Sequence, residues 1–249
     1  MYLPSHDTFV QERVERLQSL LEKDDRFGWK ETPTGGEVYI RHDTRSRAMP
    51  VGDKRDAVVS LVEAETLPQY VWPAAYSLIS WLIANKELFE GKSILELGCG
   101  TGVVGYALSS LASRMVLTDC SPVSLALAEL TRRNRPYTNC VVGQLKWGDL
   151  DQLQELLDFV QLDRFDVVIG SDIFYFNQTL RLGLNTARHA LKHQGTFICG
   201  SVARSERMEC DLQSIPSEYG FVLDDFVDEE PFQLYRWSIS GSSERLVKE

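Results

Sequence analysis

The spacing of apolar residues changes near residue 70. Before that point, Val10, Val14, Leu17 and Leu21 recur at intervals of three and four among charged neighbours. That spacing predicts an amphipathic helix over residues 8 to 23 with one buried stripe. Gly35-Gly36 then introduces Glu37-Val38-Tyr39-Ile40, a strand-like run, and Ala57–Val62 is a second run expected to pair with it. The polar stretch from Arg41 to Asp56 reads as a loop. These pieces do not form a strand–helix–strand unit, so residues 1–70 are expected to be a small N-terminal lobe of helix and strand. Residues 71–249 then form the main domain.

From Trp72 onward, strand-like and helix-like patterns alternate. Ala74 to Phe89 reads as a helix closed by Gly91. Five apolar runs follow: Ser93–Leu97, Arg114–Thr118, Cys140–Gln144, Phe165–Gly170 and Thr196–Gly200. Helical patterns separate them at Val103–Ala112, Val123–Arg133, Leu150–Val160 and Gln178–Lys192. Such alternation predicts an α/β fold, a parallel sheet with helices on both faces. Two further runs, Phe221–Phe226 and Phe232–Ser240, have no helix-length gap between them and predict an antiparallel hairpin that closes the sheet at seven strands.

The most telling stretch is Ile94-Leu95-Glu96-Leu97-Gly98-Cys99-Gly100-Thr101-Gly102-Val103-Val104-Gly105. An apolar strand runs into glycines and then into a helix start. Glycines allow a tight turn and bring a ligand against bare backbone N–H groups. About twenty residues on, Val116-Leu117-Thr118 ends at Asp119, an offset suited to binding two ribose hydroxyls. Together they predict an adenosine-containing cofactor. Gly100 to Gly105 also fits the dinucleotide fingerprint, but Glu96 beside the loop would repel a pyrophosphate. S-adenosylmethionine has no phosphate and carries a sulfonium and an ammonium, which a carboxylate attracts. The acids therefore favour S-adenosylmethionine, with S-adenosylhomocysteine as product, over a nicotinamide or flavin cofactor.

Ligands of open α/β sheets bind at the carboxyl ends of strands. The fourth such end, Ser171-Asp172-Ile173-Phe174-Tyr175-Phe176, is chemically the richest. An amine must lose a proton before it can accept a methyl group. A carboxylate at Asp172 can orient that amine and help take the proton, and aromatic faces favour the cationic product. Trp147 and Asp149, after the third strand, suit a purine face and its exocyclic amine. Against these readings stand ordinary structural ones: Asp172 as a helix cap, and Trp72 or Trp147 as core.

Composition narrows the class. The chain has 249 residues, 43% of them hydrophobic and 25% charged, as expected for an ordinary globular protein. A net charge of −10 argues against a broad nucleic-acid-binding face. The acids Asp224, Asp225, Asp228, Glu229 and Glu230 read as a solvated face, or as a surface for a basic protein. The five cysteines Cys99, Cys120, Cys140, Cys199 and Cys210 form no C-x-x-C pair and read as reduced thiols. His189 and His193 sit at i, i+4 in the last turn of the expected helix. They lack a third ligand, so no metal site is expected. Arg132, Arg133 and Arg135 read as helix-end surface charge. No apolar run is long enough to span a bilayer and no leader pattern opens the chain. A cytoplasmic protein is expected, with the nucleus also open, and no membrane partner.

Val71-Trp72-Pro73-Ala74-Ala75, Leu95-Glu96-Leu97-Gly98-Cys99-Gly100-Thr101-Gly102, Leu117-Thr118-Asp119, Leu145-Lys146-Trp147-Gly148 and Ser171-Asp172-Ile173-Phe174-Tyr175 occur in an order and spacing that resembles the family-16 lysine methyltransferases. These are a branch of the seven-β-strand class that acts on proteins such as chaperones and translation elongation factors; a related branch modifies histidine. The resemblance covers about residues 57 to 205. It implies a Rossmann-like methyltransferase sheet and cofactor contacts from Trp72, Gly98, Cys99, Gly100, Asp119, Trp147 and Ser171, with Glu96 added by the charge argument. It also implies that Asp172 and Tyr175 form an Asp-x-x-Tyr motif beside an acceptor lysine. Two positions depart from many relatives: Lys146 stands where an acid is common, and Ser171 where alanine is. The expected protein is a monomer acting on a protein substrate. Alternatives are a small-molecule or protein-histidine methyltransferase on the same fold, a nicotinamide-dependent oxidoreductase, or a non-catalytic adaptor.

Overall fold

The computed structural model describes residues 2–3, 8–41, 69–175, 177–203 and 205–239. The expected strand Ala57–Val62 and most of the expected loop before it lie outside the described residues. In chain order the elements are β1 (Tyr2–Leu3), α1 (Thr8–Leu21), β2 (Phe27–Glu31), β3 (Glu37–Arg41), α2 (Pro73–Ala84), β4 (Ser93–Leu97), α3 (Val103–Leu108), β5 (Arg114–Asp119), α4 (Pro122–Asn134), β6 (Cys140–Gln144), α5 (Leu150–Val160), β7 (Phe165–Ser171), α6 (Asn177–Ala190), β8 (Leu191–Val202), α7 (Glu206–Ser214), β9 (Phe221–Glu229) and β10 (Phe232–Ile239).

An eight-stranded sheet runs in the order β1-β6-β5-β4-β7-β8-β10-β9. The strands from β6 through β8 are parallel, and β10 is antiparallel to both β8 and β9. The seven expected strands and the closing hairpin are therefore present. The eighth is the two-residue β1, which pairs in parallel with Val142 and Gly143 at the far edge. It is too short to leave an apolar pattern in the sequence.

Alternation along each central strand supplies both faces. Ile94, Met115, Val142, Val167 and Ile198 join a core under α2, α3 and α4. Leu95, Val116, Val141, Val168 and Phe197 join a second core under α5, α6 and α7. Strands buried on both sides read as continuous apolar runs, which is why they were legible.

The N-terminal elements pack on α4. Val14 and Leu21 of α1 are buried, as their spacing predicts. β3 pairs with β2, from Phe27↔Arg41 to Glu31↔Glu37; the expected pairing with Ala57–Val62 lies outside the described residues. The Tyr39 N–H donates to Thr131 Oγ1 at 2.9 Å, and the Arg135 guanidinium lies 3.8 Å from the Trp29 ring centre. Arg132 and Arg133 both bond Glu129, which is buried. Arg132 and Arg133 do stand in the last turn of α4, as expected, and are in addition tied to a buried carboxylate. A buried carboxylate needs such partners.

Candidate active site

The sheet changes direction of connection at β4. From there the chain moves outward to β5 and β6, then returns to β7 and β8 on the other side. The carboxyl ends of β4 and β7 therefore flank a crevice, the usual ligand position in such sheets. Four strand ends converge there.

The loop after β4 is built around two carboxylates. Asp119, at the end of β5, accepts from the Gly100 N–H at 3.0 Å through Oδ2 and from the Ser121 N–H at 2.8 Å through Oδ1. Burial raises its pKa, while the Ser121 and Gly100 N–H groups pull the other way. Asp119 remains half-buried. Glu96 is 2% exposed and lies under the loop, with Oε2 accepting from the Gly105 N–H at 3.0 Å. Burial pushes its pKa up to about 8, and the Asp119 charge adds to the rise. Glu96 thus contacts the first turn of α3 directly. The last glycine of the motif is needed for this reason: a Cβ on Gly105 would lie 2.5 Å from Glu96 Oε2.

Gly98 has φ +65° and turns the chain off β4. A Cβ there would meet Ile173 Cγ2 at 2.9 Å and Trp147 Cζ2 at 3.3 Å. The ends of β4, β6 and β7 therefore close on one point. Trp147 is half-buried, with its ring 5.8 Å from Phe174 in an edge-on arrangement. Cys99 is buried, and its thiol is pushed well above the usual range, first by burial and then by Asp119 and Glu96. A thiol so placed is not a nucleophile at neutral pH.

Asp172 follows β7 directly. It is 2% exposed and has φ 55°, a left-handed conformation uncommon for residues other than glycine. Its N–H donates to Gly200 O at 2.7 Å, and its Oδ1 lies 3.4 Å from the Val202 N–H, so it is tied to the end of β8. Strained backbone held by neighbouring strands is a feature of functional sites. Tyr175 follows three residues later and is half-buried. Ser171 Oγ is buried with no hydrogen-bond partner among the described residues.

Trp72 immediately precedes Pro73 at the start of α2. The helix crosses β8 with Leu78 against Gly200, and the chain then passes Leu88 and Phe89 beside Val167 and Thr196. It therefore runs from the carboxyl end of the sheet toward the amino end, which puts Trp72 at the crevice. A cavity of about 160 Å³ beside Leu88, Phe89 and Thr196 lies at the opposite end of the strands.

Two sequence readings are corrected. Asp149 is the N-cap of α5 and accepts from the Gln152 N–H at 3.0 Å, so its carboxylate is occupied by the helix rather than offered to a purine. The helix α6 ends at Ala190, so His193 lies in β8 and the helical i, i+4 relation with His189 does not exist. His189 Nδ1 is instead 2.9 Å from Asn185 O.

The donor set suits S-adenosylmethionine. Burial, and after it the nearby Asp119 charge, raises the pKa of Glu96, and two carboxyl groups so placed favour a cation over a pyrophosphate. Ser171 adds an orphaned hydroxyl, and Gly98 clears space before Trp147.

Comparison with known proteins agrees. A family model described as lysine methyltransferase matches residues 59–217. The chain is 28% identical over 169 residues to protein N-lysine methyltransferase METTL21A of Danio rerio, covering 67% of this chain and 75% of the relative. It is 35% identical over 138 residues to EEF1A lysine methyltransferase 3 of Mus musculus, covering 55% of this chain and 56% of the relative. The match thus spans little more than half of the mouse protein. Among solved structures, magnesium protoporphyrin IX methyltransferase of Synechocystis PCC 6803 with bound SAM superposes with a TM-score of 0.51 at 19% identity, over 76% of this chain and 87% of that one. This last likeness bears on the fold.

Proposed function

The chain belongs to the lysine methyltransferase family, and from that premise we propose that it transfers a methyl group from S-adenosylmethionine to a lysine side chain of a protein. The observation that carries this is Asp172: a buried carboxylate, held in a left-handed backbone at the end of β7, whose neighbour Ile173 packs against Gly98 of the glycine loop.

When bound, S-adenosylmethionine supplies an electrophilic methyl on a sulfonium. Asp119 offers its carboxylate to the ribose hydroxyls, which adds charge-assisted hydrogen bonds. Glu96, whose carboxyl burial holds protonated near neutral pH without ligand, would give up its proton more readily beside the bound cation and add negative charge beneath the loop. Trp72, Gly98, Cys99, Gly100, Trp147 and Ser171 complete the cofactor contacts in this reading. Asp172 Oδ1 and Oδ2 hold the acceptor ammonium, orient the nitrogen and take its proton, so the lone pair is free. Tyr175 lines the approach and favours a methylated cation against its ring. The freed lone pair would then accept the methyl that the cofactor supplies, and Asp172 would pass the proton it had taken on to solvent.

The protein itself is cytoplasmic in this reading, and the name of the mouse relative makes EEF1A the first acceptor to assay. Purified protein is incubated with labelled S-adenosylmethionine and either EEF1A or cell lysate, and labelled peptides are sequenced by mass spectrometry. Label on a lysine supports the reading. Label on histidine, on arginine or on a small metabolite, or no transfer at all, refutes it.

A further inference from the structure

The sheet ends in an open edge beside the site. β9 is the last strand in the order and pairs with β10 on one side only; its other side has no strand among the described residues. Exposed edges invite pairing by another chain, and proteins manage them with charges, proline or bulges. β9 has a bulge opposite Arg236 and Trp237, and all of its charges are acidic, which bars an acidic partner and suits a basic one. Val222 is 49%, Leu223 39% and Phe226 37% exposed, three of the few large apolar side chains so exposed among the described residues. Acids are interleaved with them: Asp224, Asp228, Glu229 and Glu230 are exposed as well. Asp224 accepts from Ser238 Oγ, and no ion pair to Asp228, Glu229 or Glu230 occurs among the described residues.

The edge is continuous with the candidate active site. Phe232, which opens β10, pairs with Val202, the last residue of β8. The Ala203 N–H donates to Pro231 O at 2.9 Å. Val202 is also the residue whose N–H faces Asp172 Oδ1. The acidic turn between β9 and β10 therefore sits on the rim above Asp172.

We propose that the free edge of β9 docks the acceptor protein as an extended segment in which basic and apolar residues alternate, and that the acceptor lysine follows this segment across the β9–β10 turn to Asp172. The proposal rests on the lysine methyltransferase reading above and names how the substrate is held. Charge complementarity selects the occupant. A basic strand meets Asp224, Asp228 and Glu229, while its apolar residues cover Val222, Leu223 and Phe226. A second copy of this chain would set acid against acid across the edge, which like-charge cross-strand pairing disfavours. Spacing gives the register. A strand beside β9 lies three strand spacings from β8, about 14 Å, so the lysine stands about four residues beyond the docked stretch.

The probe is a fluorescein-labelled peptide about nine residues long that alternates arginine and valine, one strand's length for this edge. Its counterpart alternates glutamate and valine. Binding is followed by anisotropy at low and high salt. The parent should bind the basic peptide and not the acidic one. The triple reversal D228K/E229K/E230K should weaken binding at least about tenfold, because it sets like charges against each other across the docked pair. A control, D151K/E155K/D158K on the exposed side of α5, makes the same change in net charge and should alter binding less than about twofold. Val222→Ser with Leu223→Ser should weaken the binding that persists at high salt by several-fold, which tests the apolar half separately. Equal loss in the two triple variants, no loss in either, or a parent that sediments as a dimer through this edge overturns the proposal. Calorimetry with S-adenosylhomocysteine runs in parallel. A parent that fails to bind it refutes the methyltransferase reading, while the peptide comparison still decides the docking edge.

Discussion

Glu96 should make the protein less stable as pH rises, and Glu96→Gln should remove that dependence. The side chain is buried, with one backbone N–H donor, and its pKa is pushed from a usual value of about 4.5 to about 8. Below about pH 4.5 folded and unfolded chains both hold the proton, and Glu96 has no effect. Between about 4.5 and about 8 the folded chain keeps a proton that the unfolded chain has released, so stability falls with pH. At about 1.36 kcal/mol per pH unit the loss reaches about 3 kcal/mol at pH 7 and about 5 kcal/mol above pH 8. Glutamine is neutral, has nearly the same shape, and keeps an oxygen for the Gly105 N–H. The variant should therefore match the parent near pH 4.5 and gain on it steadily to pH 8. Urea unfolding of both proteins from pH 5 to 9 measures the difference. A gap that does not change with pH, or a variant less stable than the parent at pH 8, refutes the reasoning. The first would mean that Glu96 titrates alike in both states. The second would mean that the folded site prefers the carboxylate. A linked effect follows in the ligand: a cation near Glu96 favours its ionised form, so S-adenosylmethionine affinity should rise with pH in the parent and stay flat in Glu96→Gln.

Three further outcomes are expected. Asp119→Ala should weaken S-adenosylmethionine binding at least about tenfold by calorimetry, since each charge-assisted hydrogen bond contributes about 1.5–3 kcal/mol; unchanged affinity in a folded variant would leave Asp119 as a brace for Gly100 and Ser121 only. Asp172→Ala should lower turnover about a hundredfold or more while cofactor affinity stays within a few-fold, and Tyr175→Phe should cost less because the ring remains; full activity in Asp172→Ala would move the acceptor site elsewhere. Gly105→Ala should destabilise the fold by about 1–3 kcal/mol through its clash with Glu96, measured by thermal unfolding, and a neutral result would show that the loop gives way freely.

Legibility followed the physics of each segment. β4, β5, β6, β7 and β8 are buried on both faces, so each showed as an apolar run, and the glycine loop announced itself by residue type. α7 was missed because only Leu212 among its residues is buried; one apolar position makes no stripe. β2 was missed because Phe27-Gly28-Trp29-Lys30-Glu31 is short, contains a glycine, and buries its first residue alone. The end of α6 was set two residues late because Leu191 and Lys192 continue a good helix pattern, while pairing with β7 draws Leu191 into β8. Tertiary pairing overrode local preference there. In the site, the sequence indicated which acids matter but not how they are held. That Glu96 carries the Gly105 N–H, and that Asp149 is spent as a helix cap, depend on side-chain direction at strand ends, which periodicity does not encode.

The strand order sets the two candidate carboxylates, Asp119 and Asp172, on opposite sides of β4. The glycine loop after β4 stands in the middle; on one side β5 brings Asp119 to it, and on the other β7 and β8 bring Asp172. Asp119 is tied to the N–H groups of Gly100 and Ser121, whereas Asp172 is tied to the end of β8 through Gly200 and Val202. A change at Asp172 can therefore leave the cradle intact, and a change at Asp119 reaches the cradle before it reaches the acceptor. Continuing outward past β8 come β10 and then β9, with its acidic open edge. In the proposed reading, donor site, proton acceptor and the Asp228–Glu230 end of the docking edge lie in sequence across one end of a single sheet. The register of β8 with β10 couples the last two, so a shift in that pairing would disturb Asp172 and the docking edge together while sparing Asp119.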